Sequence, residues 1–384
     1  MDYRPTPDEE RLLAVGRELS ERFGRAYWLD HLARREFPRE LWRALGEAGH
    51  LGLLVPAEVG GRGRGLLDLA LLAEGLAAAG LPQLAIVTGP GLALPAIGRA
   101  GTPELRRDIL PDLLTGRALA AFAITEASAG TDLRELETRA EVRGEEVVLT
   151  GAKVLTSVAD VADHIVVVAL TPDAASGRPA PSVVVVPRDA RGLVFEAAPT
   201  VVAATERQCD LRFEEVVLPR SQVLGAPGAG LAVLADAPLA ERVLAASLAV
   251  GVGSYALGRA VERSRGRSHR GRPIGALQAV QNPLARAAAR LEGARHLVRQ
   301  AAAAADRREP GALGLSDLAL AAAAEAGHGA TDAALQAMGG LGYRPEGELA
   351  ALLGFARLLR SAPVHAEAAL AGAARHVLRL PRPG

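Results

Sequence analysis

The chain has 384 residues, 49% of them hydrophobic, and Lys+Arg and Asp+Glu both number 44, so the formal net charge is zero. That length supports two or three domains around large cores, and the composition excludes a disordered or collagen-like chain. Neutrality argues against a general binder of nucleic acid or anionic membrane, and the single cysteine, Cys209, excludes an intrachain disulfide and fits a reducing, cytoplasmic setting.

Residues 1–117 are expected to form an all-helical N-terminal domain. Its polar, acidic start, Met1 to Arg11, lacks the charged-then-apolar order of a signal peptide. Leu41, Leu45 and Ala48, then Leu66, Leu69, Ala70 and Ala73, recur at helical spacing, with Pro56, Gly60, Gly61, Gly63, Pro82 and Pro90 as punctuation. The longest uncharged stretch, Gly75 to Gly98, carries three prolines and makes a poor membrane span, so none is expected. Residues 118–228 read as a central β domain. Its apolar runs are Glu145–Leu149, His164–Leu170, Ser182–Pro187 and Leu211–Leu218, separated by Gly151, Pro172, Gly177 and Gly192. Residues 229–384 are again helical and rich in alanine. Helices, then strands, then helices is an α+β order and excludes a doubly wound sheet.

Several motifs carry little. Gly251-Val252-Gly253-Ser254-Tyr255-Ala256 has dinucleotide-turn spacing, but a helical pattern precedes it where a strand is needed. Glu325 and His328 have the spacing of a di-iron pair, but the second pair is missing, so no metal is expected. Arg263, Arg265, Arg267, Arg270 and Arg272 form a dense basic run, either a solvated helix end or a clamp for a small phosphorylated ligand.

Six blocks in order resemble the acyl-CoA dehydrogenase family. Gly52-Leu53-Leu54-Val55-Pro56 through Gly60-Gly61-Arg62-Gly63 is similar to its N-terminal block, and Ile124-Thr125-Glu126 through Gly130-Thr131-Asp132 to its Thr-Glu-Pro-x-Ala-Gly-Ser-Asp signature. Gly151-Ala152-Lys153 and Phe213-Glu214-Glu215-Val216 through Leu224-Gly225 resemble the middle and end of its β domain. Arg267, Gly271, Pro273-Ile274 and Gln278, then Gln336 with Gly339-Gly340 and Gly342-Tyr343, resemble its two C-terminal blocks.

The resemblance implies an N-terminal helical domain, a central β-barrel-like domain and a C-terminal four-helix bundle, with FAD at the junction. It implies that Ile124 and Thr125 line the flavin, that the Ser157 hydroxyl meets flavin N5, and that Thr131 contacts the pantetheine arm. It further implies that Arg267, Gln278, Gln336, Gly339 and Gly340 hold the FAD pyrophosphate and adenosine across a subunit interface. The family pattern is changed at Leu155, where an aromatic residue is usual, at Val158 in place of Asn, and at Arg270 in place of Phe.

The implied reaction converts an acyl-CoA or acyl carrier protein thioester to the trans-2-enoyl thioester, with electrons passing to an electron-transfer flavoprotein. It needs a carboxylate to take the α-proton. The position of the usual C-terminal Glu is Pro363, in Ser361-Ala362-Pro363-Val364-His365. Some members place the base at the start of the first long bundle helix, where this chain has Glu241, followed by Arg242 as a substrate-side residue. Proline has no N–H with which to polarise a thioester carbonyl, a role open here to Val364 or His365. Two readings stand: an active homodimeric or homotetrameric dehydrogenase, and a catalytically impaired FAD-binding subunit paired with an active paralogue. A weaker third keeps the fold but performs flavin monooxygenase chemistry.

Overall fold

The computed structural model describes residues 6–130, 132–172, 178–202, 204–344 and 347–381. The first helix, α1 (Pro7–Arg34), starts at a capping box of Thr6 and Glu9 and breaks at Gly24, whose φ of 69° no helix holds. The helices α2 (Arg39–Glu47), α3 (Leu66–Ala78), α4 (Leu94–Ala100) and α5 (Pro103–Leu114) follow. A π-helical turn, Val87–Ala93, leads into α4 and contains Pro90, whose ring and missing N–H disfavour a regular α-turn.

Eight strands make one sheet: β1 (Ala120–Ala123), β2 (Arg139–Arg143), β3 (Glu146–Ser157), β4 (His164–Pro172), β5 (Pro179–Pro187), β6 (Leu193–Ala197), β7 (Gln208–Pro219) and β8 (Val223–Leu224). The order is β6-β7-β3-β2-β4-β5-β8, with β1 pairing parallel to β4. The barrel-like closure expected of this domain is not formed. The outer strands β6 and β8 are short and do not pair with each other, so the sheet stays open. The valine runs of β4 and β5 are buried without alternation, as strands covered on both faces require. β1, β2, β6 and β8 escaped the sequence reading because they are short or polar.

The C-terminal part holds a single turn, α6 (Gly230–Val233), then the long helices α7 (Ala237–Gly266), α8 (Gln278–Asp306) and α9 (Ala312–Met338), and finally α10 (Leu349–Leu358) and α11 (Ala366–His376). A two-stranded ribbon, β9 (Ser268–His269) and β10 (Arg272–Pro273), joins α7 to α8. By length and composition α7 is apolar enough to cross a membrane, but it is mostly buried as a core helix among α3, α8 and α9. Gly251 and Gly253, the motif without a strand, serve this packing. A Cβ at Gly251 would lie 2.6 Å from the Glu74 carbonyl oxygen of α3, and one at Gly253 would lie 2.9 Å from Gly327 of α9. The bundle is tied to the first helices by polar links as well. Asp306, at the end of α8, accepts the Leu66 and Leu67 N–H groups at 2.5 and 3.0 Å and so caps α3. Glu348, buried just before α10, gathers Arg25 of α1 at 2.7 Å and Tyr255 and Arg259 of α7 at 3.0 and 3.1 Å.

Candidate functional site

The segment after β1 carries Ile124 and Thr125, and one buried side chain holds it in place. Lys153 of β3, the chain's sole lysine, is fully buried. Its Nζ donates to the Ile124 carbonyl at 2.9 Å and to Glu126 Oε1 at 2.6 Å. Glu126 also accepts the N–H groups of Glu137 and Thr138 at 2.6 and 3.1 Å. Burial pushes the Glu126 carboxyl up, but the bonds from Lys153 and Thr138 outweigh it and hold the carboxyl below its ordinary value. Burial pushes the Lys153 ammonium down, against the pull of Glu126. The Thr125 carbonyl accepts the Val154 N–H at 2.9 Å, so two consecutive residues of β3 stitch Ile124 and Thr125 beside it.

The end of β3 is aimed by a bulge. Its register with β7 shifts between Lys153 and Thr156, and Leu155 there takes φ 52° with its N–H donated to Asp210 Oδ1 at 2.9 Å. Leu155 is 56% exposed, so a large apolar side chain stands in the open beside Ser157. Ser157 is buried and donates to Gln208 Oε1 at 3.0 Å. The structure thus sets Ile124 and Thr125 beside Lys153 and Val154 of β3, and Ser157 at the far end of the same strand. Thr131 lies outside the described residues.

The other candidates form separate groups. Arg267 and Gln278 are exposed at the two ends of the β9–β10 ribbon, which the Ile274 N–H to Arg267 carbonyl bond closes at 2.8 Å. Gln336, Gly339 and Gly340 are exposed at the end of α9. Gly339 has φ 61°, which glycine alone takes freely. A Cβ at Gly340 would meet nothing of this chain within 4 Å, so its own packing does not demand glycine there. Bare backbone, an exposed guanidinium and exposed amides are the donor set a phosphate-bearing cofactor from outside the fold requires. The hydroxyl-bearing residues Thr125, after β1, and Ser157, at the end of β3, suit its ring end. The residues present therefore fit FAD.

Glu241 lies in the second turn of α7, half-buried. Burial pushes its carboxyl up to about 7, with Arg242 pulling the other way. The preceding Ala240 lines a cleft of about 340 Å³ whose wall mixes Leu92, Pro95, Ala96 and Leu239 with Arg64, Asp306, Arg308 and the Arg99–Asp236 pair at 2.5 Å. Arg242 turns away from this face. Its Nε donates to Asp317 Oδ1 of α9 at 2.6 Å and its Nη1 to the Pro238 carbonyl at 2.9 Å. Ahead of α11, Val364 is buried, and His365 is the N-cap, its Nδ1 accepting the Glu367 N–H at 3.1 Å. Sequence reasoning missed Lys153 and Glu126, which hold the segment carrying Ile124 and Thr125, and Asp317 as the partner of Arg242. Only the isolation of Lys153 among 43 arginines gave a signal.

Three family models match in order along the chain: the acyl-CoA dehydrogenase N-terminal domain over residues 6–117, the middle domain over 121–216 and the C-terminal domain over 228–369. The chain is 37% identical to the acyl-CoA dehydrogenase FadE12 of Mycobacterium tuberculosis over 94% of its own length and 93% of that protein. It is 32% identical to the cyclohex-1-ene-1-carbonyl-CoA dehydrogenase of Syntrophus aciditrophicus, over 92% of this chain and 86% of that one. The solved butyryl-CoA dehydrogenase of Megasphaera elsdenii superposes with a TM-score of 0.89 at 25% identity, over 99% of this chain and all of that one.

Proposed function

This chain belongs to the acyl-CoA dehydrogenase family of FAD-dependent oxidoreductases, and we propose that it oxidises a saturated acyl thioester to the trans-2-enoyl thioester with Glu241 as the base. The observation that carries the reading is the Glu241 carboxyl, half-buried at the start of α7, next in sequence to the cleft-lining Ala240, and raised to about 7. A carboxylate of that basicity accepts a carbon-bound proton at neutral pH far better than an ordinary exposed one. FAD, when bound, supplies the acceptor for the hydride leaving the β-carbon. Glu241 takes the α-proton, so the two hydrogens leave as a proton and a hydride and a C=C bond remains. Thr125, in the segment that the Lys153–Glu126 pair keeps in place, and Ser157, at the end of β3, would present hydroxyls to the flavin ring. Arg267, Gln278, Gln336, Gly339 and Gly340 hold the pyrophosphate and adenosine across the interface of a homodimer or homotetramer. Electrons then leave to an electron-transfer flavoprotein, in the cytoplasm.

The test is product analysis: purified protein, an artificial electron acceptor and a panel of straight, branched and cyclic acyl-CoAs. Loss of two hydrogens from one class, abolished by Glu241→Gln, is expected. No product from any class would overturn the reading. Pro363 favours a second one. By the family resemblance the N–H at that position would polarise the thioester carbonyl, Pro363 has none, and an oxyanion donor is worth about 10²–10³ in rate. On that reading the chain is a catalytically impaired subunit, and turnover appears only when an active paralogue is added.

A further inference from the structure

A carboxylate that the reaction leaves unused lies behind the base. Asp317 of α9 is 1% exposed and sits 75 residues downstream of Arg242, whose Nε donates to its Oδ1 at 2.6 Å. The fold makes room for it. A Cβ at Gly372 of α11 would lie 2.2 Å from Asp317 Oδ2, so α11 closes directly over the carboxylate. His376, in the last turn of α11, stands with Nδ1 3.4 Å from the same oxygen. Three helices therefore meet at one buried charge: α7 with the base, α9, and α11, which follows the Pro363–His365 segment.

We propose that Asp317 is the positioning residue of this active site: by engaging Arg242 it draws that guanidinium into the bundle and offsets part of its charge, leaving Glu241 free to act as a base. The inference rests on the reading of Glu241 given above. Arg242 is the nearest cation to Glu241 in sequence and the charge that acts on its carboxyl. Two other carboxylates of the surrounding elements are engaged elsewhere. Asp236, ahead of α7, pairs with Arg99 of α4, and Glu74 of α3 pairs with Arg295 of α8, which reaches Ser254 about three turns further along α7. His376 of α11 faces Asp317, not Glu241. An arginine released from Asp317 has Glu241 as its adjacent counter-charge. An opposite charge within about 4–6 Å of a carboxylate stabilises it by about one to three pH units and makes it a weaker base. Asp317 is not a catalytic residue, since it touches Arg242 and not the reacting atoms.

The test uses the full-length, flavin-loaded protein and three variants. In Asp317→Asn the acid limb of the kcat–pH profile is expected to move down by about one unit, with kcat falling about tenfold and KM little changed. The Glu241 carboxyl, followed by carbon-13 NMR of glutamate-labelled protein and assigned by its loss in Glu241→Gln, is expected to titrate lower by the same amount. Removing both charges in Asp317→Asn/Arg242→Gln returns the limb and the NMR titration to the wild-type position or above it, which a merely structural defect would not do. A folded Asp317→Asn whose limb and carboxyl titration stay in place overturns the inference, and so does a double variant that keeps the lowered values. If Glu241→Gln retains wild-type turnover, it is the assignment of the base that fails, and the inference falls with it. If Glu241→Gln is inactive and Asp317→Asn is unshifted, only the inference fails.

Discussion

Replacing Glu241 with Gln should raise stability and abolish turnover, a combination that an ordinary surface glutamate does not give. Its carboxyl rises from the usual 4.5 to about 7 because burial penalises the anion. The sign follows from proton linkage. Between pH 4.5 and 7 the folded chain holds a proton there that the unfolded chain has lost, so stability is lost as pH rises through that window. Above pH 7 the folded state carries the whole penalty of an anion kept from water. The shift spans about 2.5 units at 1.36 kcal/mol each, reduced for the solvent the half-buried side chain still sees, so about 2–3 kcal/mol. Gln has the same shape without the charge. At pH 8 the variant is expected to be more stable by about that amount, or about 3–4 °C in Tm for a chain of this size, and the gain should vanish at pH 4.5. Turnover should fall by about 10²–10⁴, the usual worth of a positioned general base. Calorimetric melts at pH 8 and pH 4.5, with steady-state rates at pH 8, provide the assay. An unchanged melt at pH 8 together with unchanged turnover would refute the reasoning.

Two further predictions concern the buried ion pairs. Lys153→Met leaves Glu126 charged and unpaired in the interior, which should cost about 3–5 kcal/mol and lower the flavin content of the purified protein; equal melting and equal flavin would contradict the placement of Ile124 and Thr125 described here. Glu348→Gln should destabilise the chain at pH 7 by a similar roughly 3–5 kcal/mol, because burial raises the Glu348 carboxyl but Arg25 and Tyr255 hold it below its ordinary value. A depressed carboxyl contributes stability above its unfolded pKa, so the gap between wild type and variant should narrow as pH falls below about 4.5, which melts from pH 7 to pH 3 would show.

The parts of the fold that were legible in the sequence are those with local causes. Helical periodicity located the helices on either side of the strands, and the valine runs located β4 and β5, because burial on both faces demands such runs. The glycines at 339 and 340 stood out through their resemblance to a family block, and the structure adds the positive φ of Gly339 and the open space at Gly340. What stayed hidden depends on residues far apart in the chain. Lys153 finds Glu126 27 residues away, and Arg242 finds Asp317 across the bundle. Arg242 read from sequence as a substrate-side residue, while the fold engages it with Asp317. The open sheet was also illegible. Whether a sheet closes depends on its edge strands pairing, and β8 is two residues long. Gly251 and Gly253 are set aside as a phosphate turn for want of a preceding strand, and their packing role against α3 and α9 becomes visible only in the fold.

The most direct measurement is the visible spectrum of the purified, flavin-loaded protein under anaerobic conditions while saturated acyl-CoAs of graded length and branching are added one at a time. An acyl-CoA dehydrogenase with Glu241 as its base gives a flavin band that bleaches with one substrate class in the wild type and stays unbleached in Glu241→Gln. A band that no acyl-CoA bleaches, or that bleaches equally in both proteins, would contradict it.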